Sequence, residues 1–80
     1  MAKRAAPVHY RLSVVLEKDA DGYFAYCPQL QGCSTQGDTY EDALANIQDA
    51  IRLHIEDRKE RGETLPAIES VSVATVDVAA

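Results

Sequence analysis

The fold of this chain is limited above all by one long helical pattern, which lies between segments whose sequences are typical of β-strands. In residues 40–55 apolar side chains recur at intervals of three and four residues, so they would lie on one face of a helix. The residues on this face are Tyr40, Ala43, Leu44, Ile47, Ala50, Ile51, His54 and Ile55. One apolar helix face must be buried against another layer, and the strand-like segments indicate that this layer is a sheet.

Both ends of the helix are specified by local signals. Thr39 is suited to be the N-cap, and Asp42 three residues later approximates a capping box. Basic residues crowd the last turn, Gly62 can adopt the left-handed cap conformation, and Pro66 prevents the helix from continuing. We therefore predict a helix that ends near residue 61.

An alternating segment followed by a turn predicts a β-hairpin before the helix. Residues 8–17 alternate between apolar and polar side chains, as in a half-buried strand. The side chains on its apolar side are Tyr10, Leu12, Val14 and Leu16. Residues 18–22 have the composition of a turn, and a second strand at 23–27 ends before Pro28, which lacks the N–H that a central strand needs.

A third strand near residues 33–36 and a fourth at 71–78 complete a predicted α+β fold with the element order βββαβ. In the fourth strand the alternation changes phase between Val73 and Val76, which predicts a bulge or a strand with two apolar sides. A right-handed helical crossover would place strand four beside strand one. The predicted sheet order is then 3-2-1-4, with one helix on one face.

The opposite face of this sheet has no helix to cover it. A register that pairs Leu16 with Tyr23 would place three apolar side chains on that face, namely Val15, Phe24 and Tyr26. Clustered exposed apolar side chains mark contact surfaces, and an 80-residue domain has little core of its own. We therefore predict that these three residues form a self-association or partner face, and that the protein is a homodimer or a higher oligomer.

Charge and composition restrict the remaining partners. Thirteen acidic and eight basic side chains give a net charge of -5, which disfavours direct binding to nucleic acids and anionic membranes and favours encounter with a basic protein. The longest apolar runs fall far short of the ~20 residues of a membrane span. Because no secretory signal begins the sequence, we expect a cytoplasmic protein in which Cys27 and Cys33 stay reduced.

Signatures of catalysis are missing from the sequence. Cys27 and Cys33 do not have a usual zinc spacing, and neither histidine lies near a nucleophile in a recognised motif. Asp49 and Asp77 have no carboxylate on strand one to join in two-metal nuclease chemistry. We therefore expect no metal, no cofactor and no enzymatic activity, and a degenerate nuclease ranks last among the alternatives.

Several short motifs follow one another between residues 22 and 51. The most specific are Cys27-Pro28 with Leu30, Gly32-Cys33, Gly37-Asp38-Thr39, and Glu41-Asp42-Ala43-Leu44. With Gly62-Glu63-Thr64-Leu65-Pro66, they resemble the HicB family of antitoxins from type II toxin-antitoxin systems. The resemblance covers residues 8–78, so we expect one HicB-like domain at 8–80 after a flexible tail at 1–7.

The matching positions are scaffold residues rather than catalytic groups. We expect Gly37 to permit an unusual backbone angle and Cys33 to fill a small buried site. Gln29 and Gln31 stand where members of the family commonly carry an acid and a proline, and we expect them to make the strand connection less rigid.

The resemblance implies a partial ribonuclease H-like domain that neutralises a HicA-type toxin, a small basic mRNA interferase, by covering its active surface. Many members also carry a C-terminal DNA-binding domain, and here we expect a short form without it. The alternative is a solitary HicB-like oligomeric domain that binds another protein or a small ligand. A neighbouring gene for a small basic protein would separate these two functions.

Overall fold

The predicted α+β class is confirmed by the structure, a computed structural model that describes residues 9–65 and 70–80. The elements are β1 (Val15–Asp19), β2 (Gly22–Tyr26), β3 (Ser34–Gly37) and α1 (Tyr40–Glu60). The strands form an antiparallel sheet in the order β1-β2-β3. The expected tail at 1–7 and the helix-stopping Pro66 lie outside the described residues.

The hairpin between β1 and β2 has a different register from the predicted one. Leu16 lies opposite Ala25, not Tyr23, so the pairing is shifted by two residues along β2. The turn causes the shift, because Asp19 pairs with Gly22, whose φ of 130° few other residues adopt. The Asp19 carboxylate also accepts a hydrogen bond of 2.8 Å from the Asp21 N–H. A shift of two residues keeps every side chain on its predicted face.

Strand β1 begins at Val15 and not at residue 8, which corrects the predicted strand. Its partner β2 ends at Tyr26, opposite Val15, and Pro28 follows in a turn. Residues 9–14 therefore have no β2 backbone beside them. The Ser13 N–H instead donates a 2.7 Å hydrogen bond to the side-chain Oε1 of Gln29.

Both predicted ends of α1 are confirmed. The Thr39 hydroxyl accepts a hydrogen bond of 3.1 Å from the Asp42 N–H, as an N-cap does. At the other end Gly62 has a φ of 69°, and its N–H bonds to the Lys59 carbonyl while the Glu63 N–H bonds to the Arg58 carbonyl. This pair of bonds is the Schellman arrangement, which stops the helix at Glu60.

The core lies between α1 and one face of the sheet, as predicted. Its buried members are Ala25, Cys27, Leu30, Cys33, Ala43, Ile47 and Ile55, and Leu12, Val14 and Leu16 pack against them. Of the residues that the structure describes, Leu30 and Ile47 alone are both large and fully buried. The core is therefore small, as expected for a chain of this length.

Gly37 is required for a close approach and not for an unusual backbone angle, which corrects the prediction. The positive φ values of the described residues belong to Gly22, Gly32 and Gly62. A Cβ on Gly37 would collide with the Ala43 backbone nitrogen and would lie 2.8 Å from the Ala43 Cα. The end of β3 thus passes directly against the first turn of α1, and only glycine leaves room for it.

The predicted fourth strand is not formed. Residues 70–80 contain no strand, so the sheet has three strands and the predicted order 3-2-1-4 is incomplete. Three of its valines are almost fully exposed, Val73 at 79%, Val76 at 76% and Val78 at 78%. A strand forms only where a neighbour pairs with its backbone, and among the described residues no strand pairs with this segment.

In the part of the chain that the structure describes, no helix combines the length and apolarity needed to cross a bilayer.

Candidate partner-binding surfaces

The open face of the sheet brings together the three residues predicted from the sequence. Val15 lies directly opposite Tyr26, and Phe24 is on the same face two residues earlier in β2. The rings of Phe24 and Tyr26 are tilted at 35° with centroids 5.8 Å apart. Phe24 is 37% exposed, whereas its neighbour Ala25 faces α1 and is fully buried. We call Val15, Phe24 and Tyr26 the open face.

An acidic cleft lies beside the open face, and sequence reasoning missed it. The cleft has a volume of about 480 Å³ and includes Phe24 in its lining. Its carboxylates come from two places, the hairpin turn with Asp19 and Asp21 and the start of the helix with Asp38 and Asp42. The sequence shows both acidic pairs, but only the packing of β3 against α1 brings them together.

A second, apolar groove lies between α1 and residues 9–14. It has a volume of about 720 Å³, and its apolar lining consists of Tyr10, Leu12, Val14, Leu44, Ile51 and Ile55. At one end the Lys59 ammonium lies 5.8 Å from the centre of the Tyr10 ring, within the range of a cation–π contact. We call this the edge groove, because it lies outside β1 at the edge of the sheet.

The turn between β2 and β3 is built on two cysteines that form no disulfide with each other. Cys27 and Cys33 are free and buried, and the Cys27 N–H donates to the Cys33 carbonyl at 3.0 Å. Burial and the nearby Cys27 raise the pKa of the Cys33 thiol, so the neutral form is favoured. A buried, protonated thiol is a weak nucleophile, so the Cys33 side chain is suited to packing in the scaffold.

Gln29 has a structural role in the strand connection, and the prediction that it makes this connection less rigid is wrong. The residue is buried, and its side chain accepts the hydrogen bond from Ser13 that holds residues 9–14 beside the turn. Gln29 therefore fixes the strand connection instead of loosening it. No motif reveals this role, because the partner lies sixteen residues away in the sequence.

Replacing Gln29 by alanine should lower the free energy of unfolding by about 2 kcal/mol, because the part-buried Ser13 N–H loses its acceptor. Chemical denaturation measures the change. Gln31→Ala is the matched control, since Gln31 is exposed in the same turn and should change stability by less than about 0.5 kcal/mol. Equal effects of the two substitutions would contradict the role of Gln29.

The acidic residues considered for two-metal nuclease chemistry, Asp49 and Asp77, belong to different exposed parts of the chain. The Asp49 carboxylate lies 3.2 Å from the Arg52 guanidinium on the solvent side of α1, and Asp77 lies in the exposed C-terminal segment. Within residues 9–65 and 70–80, no group of three or more His, Cys, Asp or Glu side chains could hold a metal. That the protein is not an enzyme remains a prediction.

Taken together, the fold and surfaces define a class of protein, a small α+β domain with an apolar sheet face, an acidic cleft and an apolar groove. A family model described as the HicB-like antitoxin of bacterial toxin-antitoxin systems matches residues 12–78. The chain belongs to this HicB-like antitoxin family, as its sequence motifs predicted.

Known relatives agree with this membership. A UPF0150 protein of Synechocystis is 56% identical over 48 residues, which are 59% of this chain and 61% of that protein. A UPF0150 protein of Thermoplasma acidophilum is 46% identical over 57 residues, or 70% and 83% of the two chains. The solved structure titled "HicA3 and HicB3 toxin-antitoxin complex" contains a chain that matches with a TM-score of 0.58 and 30% identity, over 70% of this chain and 65% of that one.

Proposed function

We propose that the protein is an antitoxin-like binding module that neutralises a small basic mRNA interferase of the HicA type by covering its active surface. The observation that carries the proposal is the position of Phe24, which belongs to the open face and also lines the acidic cleft. An apolar patch beside a set of carboxylates suits a basic protein partner, because it combines apolar burial with charge complementarity. The solved relative belongs to a toxin-antitoxin complex, which supports this kind of partner.

The net charge of -5 supports the same partner. Long-range attraction between an acidic and a basic protein speeds their encounter, and salt screens this attraction. We therefore expect the association rate constant with a HicA-type toxin to fall about tenfold between low salt and about 0.5 M salt. Stopped-flow mixing at several salt concentrations measures the change, and a rate that does not depend on salt would contradict the electrostatic part of the proposal.

Two double variants with the same change of charge locate the effect. Asp21→Asn with Asp38→Asn removes charge from the acidic cleft. Asp49→Asn with Asp57→Asn removes the same charge from α1, where each carboxylate is already paired with an arginine. The cleft variant should lower the association rate at low salt more than the helix variant does. Equal reductions would show that only net charge matters.

The open face is tested by Phe24→Asp, which places a charge at the junction of the open face and the acidic cleft. We expect the dissociation constant of the toxin complex to rise about 100-fold or more, as for a central aromatic contact. Leu53→Asp is the control, since Leu53 is an exposed apolar residue on α1 away from both surfaces. Toxin binding that survives Phe24→Asp unchanged would remove the open face from the proposal.

Three finer features complete the proposal. The domain at residues 8–80 is a partial ribonuclease H-like fold, and its sheet order 3-2-1-4 is completed when residues 71–78 pair with the edge of β1 as a fourth strand. The protein acts in the cytoplasm. It is also a homodimer, because its small core and its exposed apolar surfaces favour burial against a second copy.

A further inference from the structure

A valine-rich segment projects from the domain although the family match includes it. The HicB-like family model extends to residue 78, through the segment that holds the exposed Val73, Val76 and Val78. The segment is thus part of the family domain without being packed on it.

The edge groove lacks a strand in the same structure. Residues 9–14 lie along the groove. Among the hydrogen bonds of the described residues outside the helix and the strands, the Ser13 N–H is the one backbone group of this stretch that takes part. Leu12, Val14 and Ile51 line the groove but remain only half-buried. An unpaired edge beside a half-buried apolar groove is a template for one further strand.

The projecting segment fits this groove in length. From Val71 to Val78 an extended chain covers about 23 Å, at about 3.3 Å per residue. From Leu44 to Lys59, the stretch of α1 that lines the groove, the helix rises about 22 Å. The segment can therefore follow the groove along its whole length.

The composition of the segment fits as well. Val71 and Val73 lie on one side of an extended strand, and Val76 and Val78 lie on the other. A strand added at the edge of β1 would need two apolar sides, because one side would face the groove and the other would extend the open face. Asp77 is its only ionisable side chain, so docking removes little charge from water.

We propose that residues 71–78 of one chain dock in the edge groove of a second copy, and that the reciprocal contact forms the homodimer by strand exchange. The inference rests on the homodimer proposed above and specifies the contact that makes it. The second copy is the occupant because the valines of the segment are exposed in the single chain and the groove is only half-buried, which leaves one groove and one segment free on every chain. A twofold exchange occupies both grooves with both segments.

Two full-length variants separate the two halves of the contact. The segment variant is Val73→Asp with Val76→Asp, which puts charges on both sides of the segment at residues that are almost fully exposed. The groove variant is Leu12→Asp. Tyr10→Asp is a second groove variant, because Tyr10 is more exposed and its replacement perturbs the domain less if Leu12→Asp fails to fold. Circular dichroism verifies that each variant is folded.

Light scattering after gel filtration at tens of micromolar gives the oligomeric state. We expect a dimer for the wild type, and monomers for the segment variant and for the groove variant alone. An equal mixture of the two variants should contain dimers again, because the intact segment of one variant can enter the intact groove of the other. Phe24→Asp and Leu53→Asp should stay dimeric, since neither residue lines the groove.

Each failure has a distinct meaning. A monomeric wild type overturns the homodimer and the exchange together. A dimeric segment variant overturns the exchange but keeps the homodimer. A folded but monomeric Phe24→Asp also overturns the exchange, and it assigns the contact to the open face. A folded mixture that remains monomeric overturns the exchange as well, because an intact segment and an intact groove on different chains then fail to join.

Discussion

Replacing Gly37 by alanine is expected to destabilise the fold by about 3 kcal/mol, the upper end of the usual range for overpacking. The added Cβ would lie 2.8 Å from the Ala43 Cα and 2.9 Å from the Asp42 carbonyl carbon, and both atoms belong to the backbone of the first helical turn. A side chain could rotate away from such a contact, but this backbone is fixed by the Thr39 cap. The strand end and the helix would therefore have to separate.

Gly32→Ala is the control for this prediction. Gly32 has a φ of 80° and no atom within 4 Å of its added Cβ, so alanine there meets backbone strain alone, at about 1 kcal/mol. Urea denaturation of both variants measures the difference. If Gly37→Ala were no more destabilising than Gly32→Ala, the close approach of β3 and α1 would be wrong.

Replacing Ile47 by alanine is expected to lower the free energy of unfolding by about 3 to 4 kcal/mol. Ile47 is fully buried on the face of α1 that covers the sheet. The substitution would leave a cavity there, and a core this small has few neighbouring side chains that can move to fill it. Domains of this size have a total stability of about 4 to 12 kcal/mol, so the variant would lose a large share of it.

The matched control lies on the same helix. Leu53 is 62% exposed, and Leu53→Ala should change stability by no more than about 0.5 kcal/mol. Thermal and chemical unfolding of the two variants should therefore differ clearly. A cost for Leu53→Ala as large as that for Ile47→Ala would mean that the helix buries a different face.

Sequence reasoning predicted α1 and its burial well because the signals are local. The Thr39 cap and the Gly62 turn are read from adjacent residues, and helical spacing identifies the face that holds Ile47. The register of the hairpin was wrong by two residues, since it depends on which residues form the turn. The face assignment of Phe24 and Tyr26 was unaffected, because alternation has a period of two.

Features that depend on distant contacts were not predictable. The role of Gln29 depends on Ser13, and the acidic cleft depends on the packing of the hairpin turn beside the start of α1. The missing strand at 71–78 has a different cause. Its pattern is that of a strand, but whether a strand forms is decided by a pairing partner that the pattern does not identify.

Neutralisation of a HicA-type toxin can be followed in a titration of the toxin with this protein. A HicA-type toxin encoded beside the gene for this protein would be purified, and its cleavage of a labelled RNA followed while increasing amounts of the protein are added. Cleavage should fall to background near one chain of this protein for each toxin, and Phe24→Asp should shift the titration to much higher concentration. Cleavage that continues unchanged in a large molar excess of the folded wild type would contradict this neutralisation.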